Sequence, residues 1–163
     1  MSKLAMLQDL YVEELKDIYS AENQILTGLP KMIAKASSPE LKDAFNLHLT
    51  QTKEQVQRLE QIFEKLGEKP TGKVCKGMHG IQEEAKELMA EEADPMVMDA
   101  GLISQAQHVE HYEMAGYGSV LAYANQLGEK DAAKLLETTL EEEKTTDAIL
   151  TKLAVSNINK KAE

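Results

Sequence analysis

Acidic side chains stand where helical periodicity calls for apolar ones at five positions of this chain: Glu22, Glu110, Glu113, Glu143 and Asp147. One run reads Leu4, Leu7, Tyr11, Ile18, Glu22, Ile25, Leu29, Met32, and its steps of three and four pass straight through the glutamate. A second reads Ile103, Ala106, Glu110, Glu113, Tyr117, Val120, Ala124, with two glutamates on the inward stripe. A third, Ala132, Leu136, Leu140, Glu143, Asp147, Leu150, Ala154, puts Glu143 at the centre of the stripe and Asp147 one turn on. A fourth carries Leu41, Phe45, His48, Thr52, Gln55, Leu59, Ile62 and Leu66, with Gln51 beside them. Its inward face is polar at mid-length but holds no carboxylate.

Each buried carboxylate costs several kcal/mol unless something compensates it. A salt-bridge network would need inward cations, and the four stripes contain no Lys or Arg; Lys53, Arg58 and Lys144 fall on outer faces or their edges. Protonation can neutralise one carboxyl pair, as in a shared-proton dyad, more readily than four or five acids at one level. A mis-phased helix would leave its own glutamate solvated, but three helices would have to be mis-phased at the same level. Divalent metal meets the charge arithmetic, because four carboxylates balance two M²⁺ ions, the pattern of the di-metal carboxylate bundles. An oxygen-rich donor set selects iron or manganese ahead of zinc. The spacing therefore nominates Glu22, Glu110, Glu113, Glu143 and Asp147 as metal-facing, with Gln51 of the fourth run at the same level.

Other reactive residues have plainer readings. His48 faces the core about one turn from the carboxylate level and reads more readily as a satisfied core histidine than as a ligand. His108 and His111 fall on the flanks of their helix. Tyr19 and Tyr117 lie about a turn from Glu22 and Glu113, where core packing with a satisfied hydroxyl is the commoner role. Cys75 and His79 could hold a soft metal, but two ligands in a Gly-rich stretch are weak grounds for one.

The elements that must position these residues are marked by few, well-separated breakers. Long helices are expected over about 2–36, 39–66, 95–127 and 129–156, with a short one over about 81–91. Ser38-Pro39 and Asp94-Pro95 supply a cap followed by proline at the first helical position; Gly67 and Gly128 are C-terminal stops. Gly67 to Gly77 reads as a loop, and the polar tail from Asn157 as frayed. Short loops force two antiparallel hairpins, and the long connection lets the third long helix start from the far end. The expected fold is all-α, one domain over 1–163, an up-down four-helix bundle of ferritin-like topology with a crossover carrying a fifth helix. Along their helices Glu22, Gln51, Glu110, Glu113 and Glu143 each fall within about a turn of the middle.

Composition narrows the function classes. With 163 residues and a net charge of −10, the chain repels nucleic acid and anionic lipid, and its single arginine, Arg58, leaves little to grip phosphate. Aromatics at 4% suit helices better than a β-sandwich. One cysteine makes no intrachain disulfide, and no apolar stretch is long enough to span a bilayer. These features lead us to expect a cytoplasmic protein that binds neither membrane nor nucleic acid.

The segments Tyr19-Ser20-Ala21-Glu22, His48-Leu49 with Thr52 and Gln55, Glu110-His111-Tyr112-Glu113 with Tyr117-Gly118, and Glu142-Glu143-Lys144 with Asp147 resemble the YciF/YciE family of bacterial stress proteins. So do the Cys75-Lys76-Gly77-Met78 segment and the ending Leu153 to Asn157. The resemblance implies a ferritin-like bundle, a homodimer, stress-linked expression and a di-metal site related to that of rubrerythrin. It implies metal ligation by Glu22, Glu110, Glu113 and Glu143, with Asp147 beside them. The resemblance also implies a departure: relatives usually have Glu where this chain has Gln51, whose neutral carbonyl can still ligate but binds a hard cation more weakly. Two functions follow as expectations: an iron or manganese protein reacting with peroxide or O₂, or a non-catalytic dimeric stress protein whose degenerate metal site is only structural.

Overall fold

The computed structural model describes residues 4–163, so the expected start of the first helix at residue 2 lies outside it. Four long helices form: α1 (Leu7–Lys35), α2 (Pro39–Leu66), α4 (Pro95–Leu127) and α5 (Lys130–Leu153), with α3 (Lys76–Ala90) in the crossover. The punctuation read from sequence acts as expected. Ser38 Oγ accepts from Leu41 N and Asp94 from Met96 N, each ahead of a proline, while Gly67 (φ 67°) and Gly128 (φ 76°) close α2 and α4 in the left-handed conformation that glycine tolerates.

In cross-section α1 packs on α2 and α4, and α5 on α4 and α2, closing a four-membered ring; α3 lies over α1 and α4. Contacts at the ends fix the directions. Asp99, in the first turns of α4, binds the α1–α2 loop, so α4 starts where α1 finishes. Lys65, near the end of α2, pairs with Asp131 at the start of α5. Helices α2 and α4 therefore run parallel, and the long crossover returns the chain to the far end of the bundle, as expected for this topology.

Three boundaries differ from expectation. Helix α3 starts at Lys76, because Cys75 Sγ accepts from Met78 N and serves as the N-cap. Gly77 is there for packing: a Cβ would come within 2.5 Å of the Tyr112 ring. Leu4 precedes α1 and is exposed. The tail does not fray at Asn157, because a π-helical stretch, Ala154–Ile158, and a last turn, Asn159–Lys161, continue α5 and bury Ile158.

The core is divided. One apolar cluster holds Ile25, Leu29, Leu41, Phe45, Leu102, Ile103 and Leu150; the other holds Tyr11, Leu15, Leu59, Ile62, Phe63, Val120 and Leu136. Along every long helix the polar residues at issue fall between the two.

Candidate metal centre

Five side chains from four helices meet in that dividing layer: Glu22 from α1, His48 from α2, Glu110 and Glu113 from α4, and Glu143 from α5. All are buried, with 2% exposure or less. His48, Glu110, Glu113 and Glu143 each present one donor atom, and these atoms lie within 4.8 Å of one another. His48 Nδ1 stands 3.0 Å from Glu110 Oε1, and Nε2 stands 3.7 Å from Glu143 Oε2 and 3.9 Å from Glu113 Oε2. The 3.0 Å approach is not aligned as a hydrogen bond, so both atoms remain unpartnered. Glu22 borders the group through Glu113 and feels the charges of Glu143 and His48.

Burial dominates the electrostatics of this layer. It pushes the Glu22 carboxyl up to about 8, the charge of Glu143 adding to the effect. Glu110 also rises to about 8, first from burial and then from the charges of Glu22 and Asp147. Glu113 and Glu143 lie well above the ordinary carboxylate range, again first from burial and then from their acidic neighbours. Among the described residues, no Lys or Arg reaches any of the four within ion-pair distance. Without a cation, burial favours the neutral form of each of these acids, and their like charges add to that preference.

Two of the carboxylates are each held by one oxygen. Tyr117 donates its hydroxyl hydrogen to Glu22 Oε1, and Gln55 donates from its amide to Glu143 Oε1. In both, the second oxygen, Oε2, is buried and unpartnered, as are both oxygens of Glu110 and Glu113 and both ring nitrogens of His48. Orphaned buried acceptors on this scale are rare in folded proteins and call for a partner that the chain itself does not supply. The set is rich in hard oxygen donors with one imidazole, a combination that could hold a metal ion.

The remaining nominated residues lie at the margin. Gln51 is half-buried beside Glu137, Glu141 and Glu142 in a groove between α2 and α5, and its carbonyl oxygen has no partner. Asp147 faces outward, accepting from Gln107 Nε2 at 3.0 Å and standing 3.3 Å from His111 Nε2. Tyr19 also points away and donates to Glu60. Cys75 is buried with Sγ 3.0 Å from the Tyr112 hydroxyl, burial pushing its thiol up, whereas His79 is exposed.

Sequence spacing placed His48 a turn away from the carboxylates; in the folded chain it stands among them. The level of one helix against its neighbour depends on how the bundle ends are tied, which spacing within a helix does not carry. The pairing of Gln55 with Glu143 was likewise hidden, although Gln55 sits on the inward stripe, four residues from Gln51.

Residues 6–163 match the family described as Domain of unknown function (DUF892). The chain is 44% identical to Protein YciF of Escherichia coli (strain K12) over 158 residues, covering 96% of this chain and 95% of the relative. The crystal structure of the E. coli stress protein YciF superposes with a TM-score of 0.92 at 43% identity, covering 96% of this chain and 99% of that one. YcfI from Rhodopseudomonas palustris gives a TM-score of 0.88 at 43% identity over 91% of this chain and 95% of its own. The chain belongs to the DUF892 family, to which the resemblance to YciF had pointed.

Proposed function

We propose that this DUF892-family chain is a carboxylate-bundle metal protein that binds iron or manganese at mid-bundle and uses it to react with peroxide or O₂. The observation that carries the reading is the orphaned donor set: eight buried acceptor or ring-nitrogen atoms on Glu22, His48, Glu110, Glu113 and Glu143 have no hydrogen-bond partner. Glu22, His48, Glu110, Glu113 and Glu143 would hold the ions, and Gln51 and Asp147 would complete the set only by turning inward. A reduced metal pair would supply two electrons, enough to take hydrogen peroxide and two protons to two waters.

The chain's own residues do the rest. The four acids, held toward the neutral form by burial, give up protons as metal binds, so metal uptake releases protons and tightens as pH rises. Tyr117 and Gln55 keep Glu22 and Glu143 oriented by one oxygen each, leaving the other free. The apolar clusters on either side exclude bulk water and lower the local dielectric, which strengthens every charge interaction in the layer. Partners other than metal, including a second copy of the chain, are carried by the family resemblance alone. No helix among the described residues is long and apolar enough to cross a membrane.

The test is anaerobic loading with Fe²⁺, removal of unbound metal, and rapid mixing with hydrogen peroxide. We expect stoichiometric peroxide loss with an absorbance change from iron oxidation, both absent in Glu143→Ala. Metal that stays bound but leaves peroxide untouched would favour the second reading, a structural ion in a non-catalytic protein. The neutral Gln51, whose carbonyl binds a hard cation more weakly than a carboxylate does, favours that alternative.

A further inference from the structure

Among the described residues, Glu143 is the one acid of the centre tied to the protein surface by a continuous chain of charge-assisted bonds. Arg58 grips Glu142 with both forks, Nη1 to Oε2 at 2.6 Å and Nη2 to Oε1 at 2.8 Å, and also donates to Thr139 Oγ1 at 3.1 Å. Both partners are mostly buried, their side chains 16% and 19% exposed. The Gln55 amide nitrogen then spends its two hydrogens on two carboxylates, Glu142 Oε2 at 3.0 Å and Glu143 Oε1. Gln55 itself is 1% exposed, and its carbonyl oxygen is buried without a partner.

This arrangement leaves the Gln55 amide a single orientation, since a flip would set its carbonyl against two carboxylates. The orientation decides what Glu143 can present. With Oε1 engaged from the α2 side, Oε2 is left facing the ring of His48 at 3.7 Å, beside Glu113. Neither Gln55 nor Glu142 belongs to the donor group, and Arg58 is the chain's sole arginine, used here as a fork that a lysine would not reproduce.

We propose that Gln55 is a positioning residue for the metal centre, held by the Arg58–Glu142 pair so that its amide fixes Glu143 by Oε1 and leaves Oε2 turned to His48 and free to ligate. The inference rests on the metal reading above and extends it outward by one layer. Partners of this kind orient a ligand before the ion arrives, and losing one weakens metal binding without removing a donor.

The experiment is calorimetric titration of the full chain with Mn²⁺, comparing wild type, Gln55→Met, Arg58→Met, the double variant and Glu113→Ala, with a thermal melt of each. We expect Gln55→Met to bind about 10- to 100-fold more weakly. Arg58→Met should bind several-fold more weakly, and its effect should vanish in the Gln55→Met background, because Arg58 acts only through the amide. If Gln55→Met does not fold, Arg58→Met and Glu142→Leu replace it, each weakening Mn²⁺ binding with no further loss when combined. Wild-type affinity in a folded Gln55→Met, or losses that multiply in the double variant, would overturn the proposal while leaving the metal reading intact. Failure of the wild type itself to bind Mn²⁺ would overturn both, and loss of binding in Glu113→Ala alone would overturn only the positioning role.

Discussion

Asp99 and Glu113 are both buried acids on α4, and they solve the same problem in opposite ways. Asp99 is fully buried and accepts the backbone N–H groups of Ser37 at 2.8 Å and Ser38 at 2.6 Å, so it is compensated within the chain and ties the start of α4 to the α1–α2 loop. Glu113, 2% exposed, has neither oxygen hydrogen-bonded to any donor. The contrast extends to the core around them: the apolar clusters at either end of the bundle stabilise the fold, and the polar layer between them weakens it unless a cation is bound or the acids are protonated. A buried acid that is satisfied internally reads as architecture. A layer of buried acids that is not satisfied reads as a binding site.

The largest effect should come from breaking an apolar end. Phe45→Ala removes a side chain that is 1% exposed in one cluster and should cost about 3–5 kcal/mol in denaturant melts, with metal stoichiometry unchanged in the folded fraction. The same measurement on Glu113→Gln in chelator should show no comparable loss, since the variant replaces an uncompensated buried acid with a neutral isostere. A large loss there would erase the distinction between layer and ends.

Metal addition sharpens the comparison next. At about a thousandfold excess over its Kd, bound metal should stabilise the wild type by about 4 kcal/mol, read as a rise in Tm, and Glu113→Gln should lack that rise.

The pH dependence has a definite sign. The acids of the layer titrate higher in the folded chain than the ordinary 4.5, up to about 8 for Glu22 and Glu110. The folded state therefore holds more protons than the unfolded one between those values. Their contribution to stability is fully present below the unfolded value and is lost as pH rises through the folded one. In chelator Tm should fall from about pH 5 to about pH 8, and saturating metal should flatten or reverse that slope. A chelated protein whose Tm climbs steadily over this range would contradict the burial of ionisable acids in the layer.

The smallest of these effects belongs to the satisfied acid. Asp99→Ala strands two backbone N–H groups at the α1–α2 loop and should cost about 1–3 kcal/mol, with or without metal. A metal-dependent effect at Asp99 would mean that the two kinds of buried acid are not separate.

The long helices and their ends were legible in the sequence because the caps are local: Ser38-Pro39, Gly67, Asp94-Pro95 and Gly128 act through their own dihedrals and side chains. The inward turn of Glu22, Glu110, Glu113 and Glu143 was legible for a related reason, since periodicity within one helix fixes which face a residue shares. What depends on neighbouring helices was not. The offset of α2 against α4 brings His48 to Glu110, and it follows from end contacts such as Asp99 to the α1–α2 loop, made 62 residues apart. Gly77 looked like a loop residue because glycine's backbone freedom and its lack of a side chain leave the same mark in a sequence; here the missing side chain makes room for Tyr112. Asp147 shows the reverse case, a residue on the inward stripe by spacing whose carboxylate turns to Gln107 at the surface.

The most direct test of the central claim is metal content per chain by elemental analysis, after anaerobic incubation with Fe²⁺ or Mn²⁺ and desalting. The charge of the layer predicts about two equivalents in the wild type, or about one if Gln51 weakens a position, and none in Glu143→Ala. A wild type that retains no metal, or a Glu143→Ala variant that retains as much, would contradict it and leave the mid-bundle acids as buried, protonated groups.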